Sequence, residues 1–349
     1  MSRNKLPPST DGIAKNVIIM NRRTVLGTLG AAAASTMILA ATGGKAVAKT
    51  FKAGGIFYGQ VKVGNFEPTG YNAFQAMAKK YGIETEYAES IDFDKAKEPL
   101  TDFGNRGFDL VVAHSSGYQA AVLDVAPKFP NTWFVLMVDG DSTGNNPNVA
   151  VYGFSTYEVL YLPGAVAGLM TKTNKIGLIG AIPLPGIRAE MAGFIDGAKA
   201  VNPAVEVESI WINSFTDAAK AKEASLAMIG HGADVVGHAA DSASEGIFQA
   251  SREKGTKAIG AFADEGLTNG DVVLVSGLYN EDLTWDLVGK GLTEGSLKPT
   301  ITFGGIKEGW VSLGGYHDVP QDVQDKIAKL RDDIASGKTV LTPRMVPEK

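Results

Sequence analysis

Residues 107–118 read GFDLVVAHSSGY, and 125 residues later residues 232–242 read GADVVGHAADS. In each stretch Gly-x-Asp leads into a run of Leu, Val and Ala. Each run stops at a histidine, which small, hydroxyl-bearing or acidic residues follow. A continuous apolar run of this length fits a strand buried on both faces, and such strands belong to parallel sheets. In an open parallel sheet the residues just past the carboxyl ends line a crevice instead of filling the core. The repetition predicts two similar lobes, each closing its third βαβ unit with the same signature.

Working outward, short apolar runs alternate with longer amphipathic stretches. They predict strands near 51–58, 84–88, 109–113, 133–138 and 149–152, with helices near 70–81, 94–105 and 117–126 between them. A second set of strands is predicted near 175–180, 205–212, 234–238, 257–261 and 272–276, with helices near 157–171, 187–201, 217–230 and 243–254. This alternation implies an α/β fold of two lobes, each a parallel sheet flanked by helices. Right-handed crossovers bring the carboxyl ends of all strands in a lobe to one edge. The chain is expected to cross between lobes at 153–157 and at 276–281, and a third time near 300–312. A helix over 282–294 would rejoin the first lobe, and a final helix over 320–336, stopped at Gly337, would sit on the second. The lobes are then 49–155 with about 280–305, and 156–279 with about 306–349.

The 349 residues suit two domains, and 44% hydrophobic with 20% charged residues is an ordinary globular composition. The absence of cysteine excludes disulfides, a thiol nucleophile, a cysteine metal site and lipid attachment through sulfur. At the N-terminus NRRTVLG (21–27) precedes a weakly apolar stretch from Leu29 to Thr42 and then Ala46-Val47-Ala48. This pattern resembles a cleaved twin-arginine export signal, with Asn21 and Val25 as departures from its usual form. Residues 1–48 hold six bases and one acid, which leaves 27 bases against 37 acids and a net charge of −10. An acidic chain without a basic run is a poor partner for nucleic acid or an anionic membrane. The expectation is a soluble, monomeric protein of the periplasm.

Several residues fall where the crevice should be. Phe66, after the first strand, and Phe215, in NSFTD after strand 205–212, occupy equivalent loop positions and are placed to sandwich a flat ring. Asp139, Asp241 and Asp264 each follow an apolar run, as a ligand-binding carboxylate or a helix cap would. Ser115 and Ser116 are cleft hydroxyls or caps for the helix after Gly117. Tyr58 and Tyr279, at two strand ends, complete the candidate set. After the leader only five arginines remain, and of these Arg188 alone has a view of the cleft. A polyanionic ligand would want more, so the ligand is expected to be neutral, flat and rich in hydrogen-bonding edges. His114, His231, His238 and His317 lack metal-ligand spacing and read as structural. No nucleophile elbow, P-loop or dinucleotide fingerprint follows a strand, so no enzyme, metal or cofactor is expected.

Four segments carry a resemblance: GFDLVVAHSSGYQ, YLPGAVAGLMTKTNKIGLIGAIPLPGIRAEMAGFIDGAKAVNP, WINSFTDAAKAKEASLAMIGHGADVVGHAADS and GGIKEGWVSL. Over roughly 51–340 the chain resembles the basic membrane protein (BMP) family of ABC-transporter substrate-binding proteins. The resemblance implies the two-lobed type I periplasmic-binding-protein fold and a purine base or nucleoside as ligand. It also implies that Phe66 and Phe215 stack on the base, that Asp241 and Asp264 make polar contacts, and that a membrane permease is the partner. The nucleoside-binding branch opens with an Asp-rich segment, where this chain reads YGQVKVGNF and keeps only Asn65-Phe66. That branch also places a lysine near the second crossing, where this chain reads SGLYN with Tyr279. Both departures favour a base over a nucleoside, although the base-binding branch often has Trp where Phe66 and Phe215 stand.

Overall fold

The computed structural model describes residues 49–348. The twin-arginine leader expected within residues 1–48 lies outside the described residues. The first lobe opens with β1 (Lys52–Ile56), α1 (Phe66–Tyr81), β2 (Glu84–Ala88), α2 (Lys97–Asn105), β3 (Leu110–His114), α3 (Gln119–Val125), β4 (Trp133–Val138) and β5 (Val149–Phe154). The second lobe follows with α4 (Thr156–Val159), α5 (Tyr161–Met170), β6 (Lys175–Gly180), α6 (Pro185–Val201), β7 (Glu206–Trp211) and α7 (Ala218–Gly230). It continues through β8 (Val235–Ala239), α8 (Ser244–Lys254), β9 (Lys257–Phe262), α9 (Gly266–Asn269) and β10 (Val273–Tyr279). Then come α10 (Glu281–Glu294), β11 (Ile301–Gly304), β12 (Val311–Leu313) and α11 (Gln321–Ala335).

The two sheets have matching orders, β11-β5-β4-β3-β1-β2 and β12-β10-β9-β8-β6-β7. All pairings are parallel except β10 with β12. The last edge strand of each sheet arrives late: β11 joins the first sheet and β12 the second, so the chain passes between the lobes three times. Helix α10 packs on α1 of the first lobe and α11 on α5 of the second.

Strand burial explains why the opening stretches are so apolar. Every residue of β3 and of β8 is buried, because each strand is flanked by two others and covered by helices on both faces. The edge strands β2 and β7 are largely exposed and correspondingly polar. Register sets the level of the crevice. Ile56 pairs with Ala113, and His114 with Met137. Residues 57–60, 115–118 and 138–141 therefore emerge together at one edge.

Four elements differ from the sequence expectation. The helix expected over 157–171 is broken into α4 and α5 at Leu160. Pro163 causes the break, since its ring clashes with the carbonyl four residues back. Helix α1 begins at Phe66 instead of residue 70, because Pro68 sits in the first turn, where no backbone N–H is needed. Phe66 is thus a helical residue and not a loop residue. Strands β11 and β12 were not anticipated: four and three residues at sheet edges leave no apolar run to read.

Candidate functional site

Between the facing sheet edges lies a cavity of about 390 Å³. Both lobes line it. The first contributes Tyr58, Phe66, Phe93, Ser115, Ser116 and Asp139, and the second Ile187, Glu190, Phe215, Asp241 and Phe262. Seven of the nine candidate residues are brought together here. Asp264 and Tyr279 stand outside the lining. Asp264 turns to the C-terminal segment, where Oδ2 accepts the Gly315 N–H at 2.9 Å. Tyr279 is buried behind the wall, with its ring stacked on Phe262 at 5.9 Å. Arg188 also leaves the cleft: its guanidinium donates to the Val346 carbonyl and to Glu348.

The walls are aromatic. Phe66 is half-buried, lying against the His114 ring at 4.5 Å and edge-on to Phe262 at 5.8 Å. Tyr58 stacks on Phe93 at 4.6 Å and meets Phe215 of the other lobe edge-on at 5.9 Å. Phe93 and Phe262 were missed in the sequence. Phe262 ends the apolar run KAIGAF and reads as core, while Phe93 sits in a polar turn without periodicity. Val138 and Phe262 end the equivalent strands β4 and β9 with φ of 79° and 71°. Such backbone costs energy in a non-glycine residue and is concentrated at functional sites.

The two histidines that end the opening stretches are braces beneath this site. His114 is wholly buried, with Nδ1 3.1 Å from Glu67 Oε2 and Nε2 2.9 Å from Glu281 Oε2. Two carboxylates facing the two ring nitrogens require both to donate, which makes His114 an imidazolium. Burial alone would push its pKa down, but Glu281 and Glu67 outweigh burial and hold it at about 10. In the second lobe, His238 Nε2 donates to Glu265 Oε2 at 2.7 Å and Nδ1 accepts the Ala240 N–H. A strand built for a dry core ends in polar residues because its last side chain anchors the loops that carry the cleft.

Hydrogen bonds join the lobes across the cleft. Asp241 Oδ1, on the second lobe, accepts the N–H groups of Asn65 and Phe66 at 2.9 and 3.0 Å, where α1 of the first lobe begins. Asn65 Nδ2 donates to Glu265 Oε1 at 2.6 Å. Gly64 beside them has φ 83°, and a Cβ there would collide with Ser242 Oγ. Ser115 Oγ accepts the Gly117 N–H, which is the capping role, and Asp139 Oδ1 accepts the Ser116 N–H at 2.9 Å.

The charge of the lining is one-sided. Glu67, Asp92, Asp139, Glu190 and Asp241 line the cavity, and among the described residues no Lys, Arg or His does. Burial raises Asp139 and Asp241 above the usual carboxylate range, against the N–H groups that lower them. Glu190 was missed because it sits alone in the apolar helix segment AEMAGF; its signal was the spacing of Gly186, Ile187 and Glu190 on one helix face. Among the described residues no cluster of three or more His, Asp or Glu is arranged to hold a metal ion.

Comparison with known proteins places these features. Residues 52–341 match the family model of ABC transporter substrate-binding proteins of PnrA-like type. A purine-binding protein of Brucella abortus is 29% identical over 265 residues, 73% of this chain and 72% of that protein. An ABC transporter nucleoside-binding protein of Lactococcus lactis is 27% identical over 300 residues, 78% of this chain and 84% of that protein. The solved structure of an ABC transporter solute-binding protein from Conexibacter woesei superposes with a TM-score of 0.70 at 25% identity, covering 84% of this chain and 99% of that one.

Proposed function

The chain belongs to the PnrA-like family of ABC transporter substrate-binding proteins, and from that premise we propose that it captures an uncharged purine-like base in the periplasm for a membrane permease. The observation that carries this reading is the cleft lining: aromatic rings from both lobes, five carboxyl groups and, among the described residues, no cationic side chain. Such a wall stacks on a flat ring and repels phosphate or carboxylate. A cavity of about 390 Å³ lies within the range of small-molecule sites. Binding works by differential contact. A ligand touching Phe66 on one lobe and Phe215 on the other stabilises the closed pair, and the closed surface is what the permease reads. No bond of the ligand is made or broken.

Calorimetric titration of residues 49–349 with adenine, guanine and hypoxanthine, their nucleosides and their monophosphates tests the reading. Bases are expected to bind more tightly than nucleosides, and monophosphates not at all. Phe66→Ala and Phe215→Ala should each weaken base binding about 5- to 150-fold, the worth of roughly 1–3 kcal/mol per stacked ring. Full affinity in both variants, or preference for a monophosphate, refutes it.

A further inference from the structure

Glu190 is the one carboxyl in the cleft with a buried oxygen left without a partner among the described residues. It projects from α6, and its side chain lines the cavity with the residue only 2% exposed. Tyr279 donates its hydroxyl to Oε1 at 2.5 Å. Oε2 has no hydrogen-bond partner among the described residues. A buried polar atom is almost always satisfied, so an orphan on a side chain that lines a ligand cavity points to a contact that a bound ligand completes. Asp139, from the opposite lobe, stands at the same wall: a Cβ on Gly186, one turn before Glu190, would lie 2.6 Å from Asp139 Oδ2.

The surroundings fix what Glu190 offers. An ionised carboxylate buried without a cation is costly, and no Lys, Arg or His among the described residues lines this cavity. Burial, opposed by the Tyr279 hydroxyl and reinforced by the charge of Asp139, pushes the Glu190 carboxyl up to about 8. It is a neutral acid at pH 7. With Tyr279 donating into Oε1, the acid proton belongs on Oε2 and needs an acceptor.

We infer that Glu190 sets the specificity of the cleft by donating from Oε2 to an acceptor atom, a ring nitrogen or carbonyl oxygen, on the edge of the heterocycle, while Asp139 accepts from a donor beside it. The ligand class is thus a planar, uncharged heterocycle with adjacent acceptor and donor on one edge. This inference rests on the heterocycle reading above and adds the residue that discriminates within it.

Titrations of wild type, Glu190→Gln and Glu190→Met with adenine and hypoxanthine test it, with apo melting curves and circular dichroism to verify each fold. Glutamine keeps an acceptor for Tyr279 and a donor in place of Oε2–H, so E190Q should bind within about threefold of wild type. Methionine keeps the volume and loses the donor, so E190M should bind at least about tenfold more weakly. If E190M does not fold, Glu190→Leu, which also lacks the donor, takes its place under the same thresholds. Binding by E190M within twofold of wild type overturns the assignment. So does a loss in E190Q of tenfold or more, which would mean an ionised Glu190 and a cationic ligand. If neither base binds wild type, the purine reading falls. The same three proteins, titrated with whichever heterocycle raises the melting temperature in a wider screen, then decide the role of Glu190 by the same ratios. A screen in which no heterocycle binds sinks both.

Discussion

At the scale of single residues, two buried titratable groups make the folded state sensitive to alkali. His114 is held protonated to about pH 10 against 6.5 in an unfolded chain. Its contribution is complete below pH 6.5 and is lost as pH rises through 10. Glu190 keeps its proton to about pH 8, whereas the unfolded chain releases it near 4.5. Stability therefore falls across that window too, because the unfolded state binds fewer protons. The melting temperature of the apo protein is expected to decline steadily from pH 5 to pH 10. E190Q should flatten the curve between about pH 5 and 8, and His114→Gln between about pH 7 and 10, as measured by thermal melts in matched buffers. H114Q should also be destabilised at pH 7, on the order of 3 kcal/mol, because it leaves Glu67 and Glu281 buried around a lost cation.

At the scale of elements, α6 is the positioning device. Its backbone lies so close to α4 and α5 that a Cβ on Gly193 would collide with the Tyr157 carbonyl oxygen. That approach holds the face carrying Gly186, Ile187 and Glu190 against the cleft. Gly186 permits a second approach, from Asp139 of the other lobe, and its backbone has ordinary helical geometry. Gly186→Ala should therefore leave the apo melting temperature within a few degrees of wild type, since the lobes can part slightly to accommodate the methyl. Base affinity should drop about tenfold, because closure drives that methyl onto Asp139. Calorimetry and thermal melts on the same sample separate the two effects.

At the scale of the whole molecule, the lobes are latched by hydrogen bonds as well as by any ligand. Asp241 receives two N–H groups at the start of α1, an N-terminal site that favours a carboxylate. Asp241→Ala removes both bonds and releases Asn65-Phe66 from the second lobe. The apo protein should then open, with a larger radius of gyration by small-angle scattering. Its base affinity should fall about 5- to 50-fold, as the binding-competent closed form becomes rarer. An unchanged radius together with unchanged affinity would remove Asp241 from the closure mechanism.

The sequence by itself determined the two-lobed α/β architecture, because buried parallel strands announce themselves in continuous apolar runs such as LVVAH and VVGHA. Ten of the twelve strands among the described residues were expected from the sequence, the buried ones from such runs and the polar edge strands β2 and β7 from their place in the alternation with helices. The two short edge strands, whose pairing rather than composition defines them, were not. Residues just past strand ends were legible for the same reason, which is why Tyr58, Phe66, Ser115, Ser116, Asp139, Phe215 and Asp241 meet in one cavity. Only the tertiary structure decided what each of them faces. It turned Arg188 and Asp264 toward the C-terminal segment, put Tyr279 behind Phe262 and made Asp241 a bond between lobes. It also brought Glu190 to the wall, since whether an acid on a helix meets water or a closed cleft depends on the element packed against it, and that partner lies far away in the chain.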